Sequence, residues 1–119
     1  MKRVFVLILL SAFISVWADE EPAVAVHYKK ASALRDQGKF AEAIEEVSRG
    51  IALNPQETEW LAKSEVLSAE LYIKLDMLKA AEVTARQVML LYPGTEFETE
   101  AKKLQEEINQ KTEASGQAE

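Results

Sequence analysis

Between residues 22 and 111 the apolar residues recur at the spacing of amphipathic helices, in five blocks. The second block is the clearest. Phe40, Ala43, Ile44, Val47 and Ile51 stand at i, i+3, i+4, i+7 and i+11, one stripe of a helix. Gly38 can take the left-handed conformation that ends a preceding helix. Pro55 cannot continue a helix and biases Asn54 away from helical geometry. The block before it, Ala23 to Gln37, carries Val24, Tyr28, Ala31 and Leu34 on one side and follows a proline suited to a first turn. A third helix starts near Glu57 with Trp60, Ser64, Leu67, Leu71 and Leu75 as its stripe, and ends near Asp76. A fourth runs from about Met77 to Leu91 with Leu78, Ala81, Ala85, Val88 and Met89 on one side, and Tyr92-Pro93-Gly94 stops it. Thr95 then reads as an N-cap for a fifth helix reaching about Lys111, with Phe97, Ala101, Leu104 and Ile108 inward. No stretch alternates with period two for long enough to make a strand, so the spacing predicts an all-α protein.

The pattern differs upstream. Lys2 and Arg3 precede an almost wholly apolar run from Val4 to Val16, and Val16-Trp17-Ala18 places small residues for cleavage before Asp19-Glu20-Glu21. This is the layout of a secretory signal peptide over 1–18, cleaved after Ala18. The alternative is an uncleaved anchor, for which the run is short against the roughly 20 apolar residues of a spanning helix. The chain has no cysteine, which excludes disulfides and lipid attachment through a cysteine. Residues 112–119 have no large apolar side chain and read as a disordered tail.

Charge narrows the partner classes. Without Lys2 and Arg3 the 14 basic residues become 12 against 20 acidic ones, a formal charge of −8. Such a surface is a poor match for nucleic-acid phosphates or anionic lipid, and no membrane insertion is expected after signal cleavage.

Shifting the chain by 38 superposes two of its parts. Ala31 falls on Ala69, Leu34 on Tyr72, Gly38 on Asp76, Phe40 on Leu78, Ala43 on Ala81, Val47 on Ala85, Leu53 on Leu91 and Pro55 on Pro93. The small residues and prolines repeat together with the large ones. The unit resembles the tetratricopeptide repeat, a helix–turn–helix of about 34 residues. The matching residues are Ala31, Leu34, Gly38, Ala43, Gly50 and Pro55 in a first unit at about 24–57, and Ala69, Tyr72, Ala81 and Pro93 in a second at about 62–95. Four additional residues centred on Trp60 lengthen the helix between them. The departures are His27 and Lys30 at positions that are usually Trp and Leu, Asp76 for the turn glycine, and Val88 for a small residue. Asp tolerates the left-handed region better than most residues. Tyr92-Pro93-Gly94-Thr95-Glu96-Phe97, followed by Ala101 and Leu104, resembles a junction of bacterial envelope tetratricopeptide proteins. The missing cysteine argues against their lipoprotein branch.

The resemblance implies a right-handed α-solenoid of two helix pairs, with the helix at about 96–111 as a cap, in one domain spanning 19–111. It implies that Ala31, Leu34, Phe40, Ala43, Val47, Gly50, Pro55, Ala69, Tyr72, Leu78, Ala81, Ala85 and Pro93 pack the repeats. It also implies a partner groove along the first helix of each pair, at Tyr28, Ser32, Arg35 and Asp36, then Lys63, Val66, Glu70, Ile73 and Lys74. Arg35, Lys63 and Lys74 would give that groove a cationic strip suited to an acidic segment.

Candidate chemistry is sparse. His27 is the only histidine, and Ala23 and Ala31 stand four residues to either side, so no paired ligand accompanies it. It reads as a surface or interface residue. The serines lack a nucleophile-elbow context, and no glycine-rich loop could hold a phosphate. Glu45-Glu46, Glu106-Glu107 and Glu96/Glu98/Glu100 read as solvated helix faces. The expectation is an exported, periplasmic protein–protein interaction module without cofactor or metal, and not an enzyme. The alternative is a structural homo-oligomer stacked through the first helix, where Val24 and Val26 would stay partly exposed.

Overall fold

In a computed structural model, residues 21–116 are described. The expected signal segment at 1–18 lies outside them. The described chain is all-α. Its five helices are α1 (Ala23–Asp36), α2 (Phe40–Ala52), α3 (Thr58–Lys74), α4 (Leu78–Leu91) and α5 (Glu96–Ser115). Each packs on the next along the chain. The odd-numbered helices also meet directly, α1 with α3 and α3 with α5, whereas α2 and α4 do not pack on one another. One side of the molecule is therefore built from α1, α3 and α5, and the other from α2 and α4.

The turn within each helix pair is closed by the same pair of bonds. The Lys39 amide donates to the Leu34 carbonyl and that of Gly38 to Arg35, each at 2.9 Å. Thirty-eight residues on, the Met77 amide donates to Tyr72 at 2.8 Å and that of Asp76 to Ile73 at 3.0 Å. This is the Schellman pattern, which needs a left-handed residue after the helix. Gly38 supplies it at φ 76°, and Asp76 supplies it at φ 58°. The periodicity of the sequence is thus a periodicity of backbone geometry.

Two apolar clusters make the core. Ala31, Ala43, Val47, Leu67 and Leu71 form the first, with Tyr28, Leu34, Phe40, Ile44 and Ile51 against them. Ala69, Ile73, Leu78, Ala81, Ala85, Val88, Ala101 and Ile108 form the second, flanked by Tyr72. The helix α3 belongs to both: Leu67 and Leu71 serve the first, Ala69 and Ile73 the second. A helix buried on two sides has no single stripe, which is why its apolar pattern is broad. Gly50 is buried where α1 crosses α2, and a Cβ there would meet the His27 Cβ at 3.0 Å.

Several expectations are corrected. Val24 is buried, because Gly50 lets α1 settle onto α2; Val26 alone stays out, at 52% exposure. Ile73 is a core residue and not a groove residue, since its side of α3 faces α4 and α5. Pro93 is exposed, so it ends α4 without packing the repeat. Glu46 is only 6% exposed, not on a solvated face, because it shares the buried side of α2 with Val47 and Gly50. The fifth helix does not stop near Lys111 but runs to Ser115, ending on Gly116 at φ 71°. Its last turns carry only polar and small residues, so apolar spacing underestimates its length.

Candidate partner-binding groove

A groove of about 360 Å³ lies between α1, α3 and α5. Tyr28 of α1, Val66 and Leu67 of α3, and Phe97 and Leu104 of α5 give it an apolar lining. Each of these apart from the buried Leu67 is half-buried, so the groove offers apolar surface without being filled by it. Leu67 and Val66 reach it because neighbouring positions on α3 fall on either side of the seam between the two clusters. Phe97 is held by an edge-to-face contact with Tyr92, ring centroids 6.1 Å apart. The start of α5 is fixed as expected: the Thr95 side chain accepts the Glu98 amide, and the Glu98 carboxylate accepts that of Gly94 at 2.8 Å.

Charges of both signs surround this surface. Arg35, Lys63 and Lys103 are the cations, and Glu70, Glu96 and Glu100 the anions. The Arg35 guanidinium donates to Glu70 at 2.9 Å across α1 and α3, and to Asp36 at 3.2 Å. Burial works against its charge, but these two carboxylates prevail and its pKa lies above the usual guanidinium value. Lys63 pairs with Glu59 at 3.4 Å and stands 4.5 Å from the Trp60 ring centroid. Trp60 in turn packs on Tyr28, centroids 5.8 Å apart. The additional turn of α3 thus carries an aromatic–cation cluster beside the groove.

Of the positions implied by the resemblance, Tyr28, Arg35, Lys63, Val66 and Glu70 line this groove together. Lys74 is exposed at the end of α3 and does not line it, so the three cations do not form one strip. Ser32 does not line it either; its hydroxyl oxygen is buried without a hydrogen-bond partner. The α5 wall was missed. Glu96 and Glu100 read as part of a solvated face in sequence, Lys103 draws no reading there, and the spacing of Phe97, Glu100 and Leu104 at i, i+3 and i+7 is the signal available.

A second cluster explains the two departures at His27 and Lys30. Glu46 receives the His27 Nδ1 at 2.7 Å, the Arg49 guanidinium at 3.2 Å and the Lys30 ammonium at 3.7 Å. The His27 hydrogen bond is the main reason its carboxyl sits below the usual carboxylate range, with Lys30 and Arg49 adding to it against burial. The histidine is a hydrogen-bond partner for a buried acid. Among the described residues no group of three or more His, Asp or Glu converges to hold a metal, and no helix is long and apolar enough to cross a membrane. Comparison with protein-family models, with curated proteins and with solved structures returned no match.

Proposed function

We propose that the chain is a small tetratricopeptide-type scaffold of the bacterial envelope, and that its α1–α3–α5 groove holds a peptide segment of a partner protein. The observation that carries this reading is the groove: apolar floor, rim of mixed charge, and walls from three helices that meet on one side of the molecule. Such a site suits a segment with apolar anchors flanked by acidic and basic residues, since each rim charge can find an opposite partner. The 38-residue recurrence of the turn geometry supports the repeat assignment. Export rests on the first 18 residues of the sequence, and mass spectrometry of the protein from envelope fractions should find Asp19 as its first residue.

Display of a random peptide library against residues 19–119, counter-selected on a Val66→Glu variant, tests the groove. Selected peptides should carry two or more apolar anchors and lose about tenfold or more in affinity on Val66→Glu, as truncation of a central contact does. They should bind Lys74→Glu as they bind the parent protein, because Lys74 lies outside the groove. Peptides that bind Val66→Glu unchanged would place recognition elsewhere.

A further inference from the structure

On the opposite side of the molecule a cleft of about 340 Å³ separates α2 from α4, with α3 as its floor. Its polar lining is Ser48, Glu65, Ser68, Tyr72, Thr84 and Gln87. The only formal charge on that lining is the Glu65 carboxylate. One of its oxygens is buried and accepts no hydrogen bond. Beside the Tyr92 hydroxyl, which is neutral, the adjacent Ser68 and Thr84 add no donor: Ser68 donates to the Ser64 carbonyl at 2.9 Å and Thr84 to that of Ala80 at 2.8 Å. Their oxygens are left as acceptors. No side chain lining the cleft is a cation.

The repeat shows what such a place needs. Moving 38 residues along, His27 corresponds to Glu65, Lys30 to Ser68, Glu46 to Thr84 and Arg49 to Gln87. In the first unit these positions hold a buried carboxylate ringed by the chain's own imidazole, ammonium and guanidinium. In the second unit the carboxylate sits on the other helix of the pair, at the position of His27, and Lys30 and Arg49 are replaced by the neutral Ser68 and Gln87. Arg49, which lines the adjoining stretch of cleft, is already engaged by Glu46. Burial pushes the Glu65 carboxyl up, against a smaller opposing effect from the Tyr92 hydroxyl, in keeping with a carboxylate that lacks a counter-ion.

We propose that the cleft between α2 and α4 binds an N–H-bearing organic cation, an ammonium or guanidinium group, at Glu65, in the role that His27, Lys30 and Arg49 play for Glu46. The ligand donates to Glu65 and to the Ser68 and Thr84 oxygens. Its source is either a free small cation or a basic side chain of a partner.

Nuclear magnetic resonance titration of the full mature chain with butylguanidinium and butylammonium tests this, with tetramethylammonium at equal ionic strength as the control that lacks N–H donors. Saturable shifts of the Ser68, Thr84 and Gln87 amides are expected with the first two ions, and about tenfold weaker binding or none with the third. Glu65→Gln should lower affinity about tenfold or more. Gln87→Arg changes a solvent-exposed position and supplies an internal guanidinium, so it should block binding while the fold stays intact by circular dichroism. A Gly-Gly-Arg-Gly-Gly peptide distinguishes the sources: affinity well above that of butylguanidinium indicates a partner's side chain, and equal affinity indicates a free cation. Absence of saturable shifts, equal response to tetramethylammonium, or unchanged binding in both variants would overturn the assignment.

Discussion

At the crossing of α1 and α2 two residues carry the geometry. Gly50 is a spacer: an added Cβ would stand 3.0 Å from the His27 Cβ and 3.6 Å from the Val24 Cα. Neither atom can rotate away, so the helices must part. Gly50→Ala should therefore destabilise the protein, the overpacking cost of about 1–3 kcal/mol exceeding the roughly 1 kcal/mol gained in helix propensity. Urea unfolding followed by circular dichroism checks the sign. Glu46 is the second residue. Its carboxyl is held below the usual 4.5, chiefly by His27, so its ion pairs stabilise the fold fully above that value. The contribution disappears as pH falls through the folded-state pKa. Lys30 and Arg49 are about two-thirds exposed, so solvent screens the pairs, and Glu46→Gln should cost about 1–2 kcal/mol near neutral pH. The gap between variant and parent should narrow in acid and close below the folded value. A gap that is constant from neutral to strongly acidic pH would remove the ion-pair account. This cluster was illegible in sequence for a definite reason. Glu45 and Glu46 are adjacent, and only the depth to which Gly50 admits α1 decides which of them is buried.

Helices were legible wherever one stripe met one neighbour. The stripe of α2, punctuated by Gly38 and Pro55, returns as Phe40–Ala52, and Thr95 caps α5 as its side chain suggests. The reading failed where that condition failed. A helix packed on both sides, α3, hides its orientation, so Ile73 was placed in the groove instead of the core. The last turns of α5 have no apolar periodicity to extend, and its length was underestimated. The turn at Asp76 was legible from the 38-residue shift alone, and its φ of 58° follows from the Schellman closure it must complete. Because that conformation costs an L-residue energy that glycine avoids, Asp76→Gly should raise stability by about 0.5–1 kcal/mol. The same change at an ordinary helical position would lower it. Thermal and urea unfolding of the variant give the comparison, and destabilisation would contradict the motif.

At the scale of the whole molecule, the proposed function rests on the alternation of helices between two sides. The odd-numbered helices form the groove side, and the even-numbered ones leave a cleft because α2 and α4 stay apart. The sequence located five residues of the groove, Tyr28, Arg35, Lys63, Val66 and Glu70, because the repeat fixed which sides of α1 and α3 look the same way. It did not locate the α5 wall, which lies outside the repeat and depends on how a third helix docks. That wall changes the electrostatics. Glu96 and Glu100 balance the cations, and Arg35 is tied to Glu70, so a purely acidic ligand is disfavoured and an amphipathic one of mixed charge is favoured.

The central claim is that this groove receives a peptide, and a resonance-by-resonance titration of residues 19–119 with a library-selected peptide tests it most directly. The account predicts shifts confined to α1, α3 and α5, centred on Tyr28, Val66, Phe97 and Leu104, with intermolecular contacts from apolar peptide side chains to these residues. Shifts centred on α2 and α4, with Val66 and Phe97 unmoved, would contradict it.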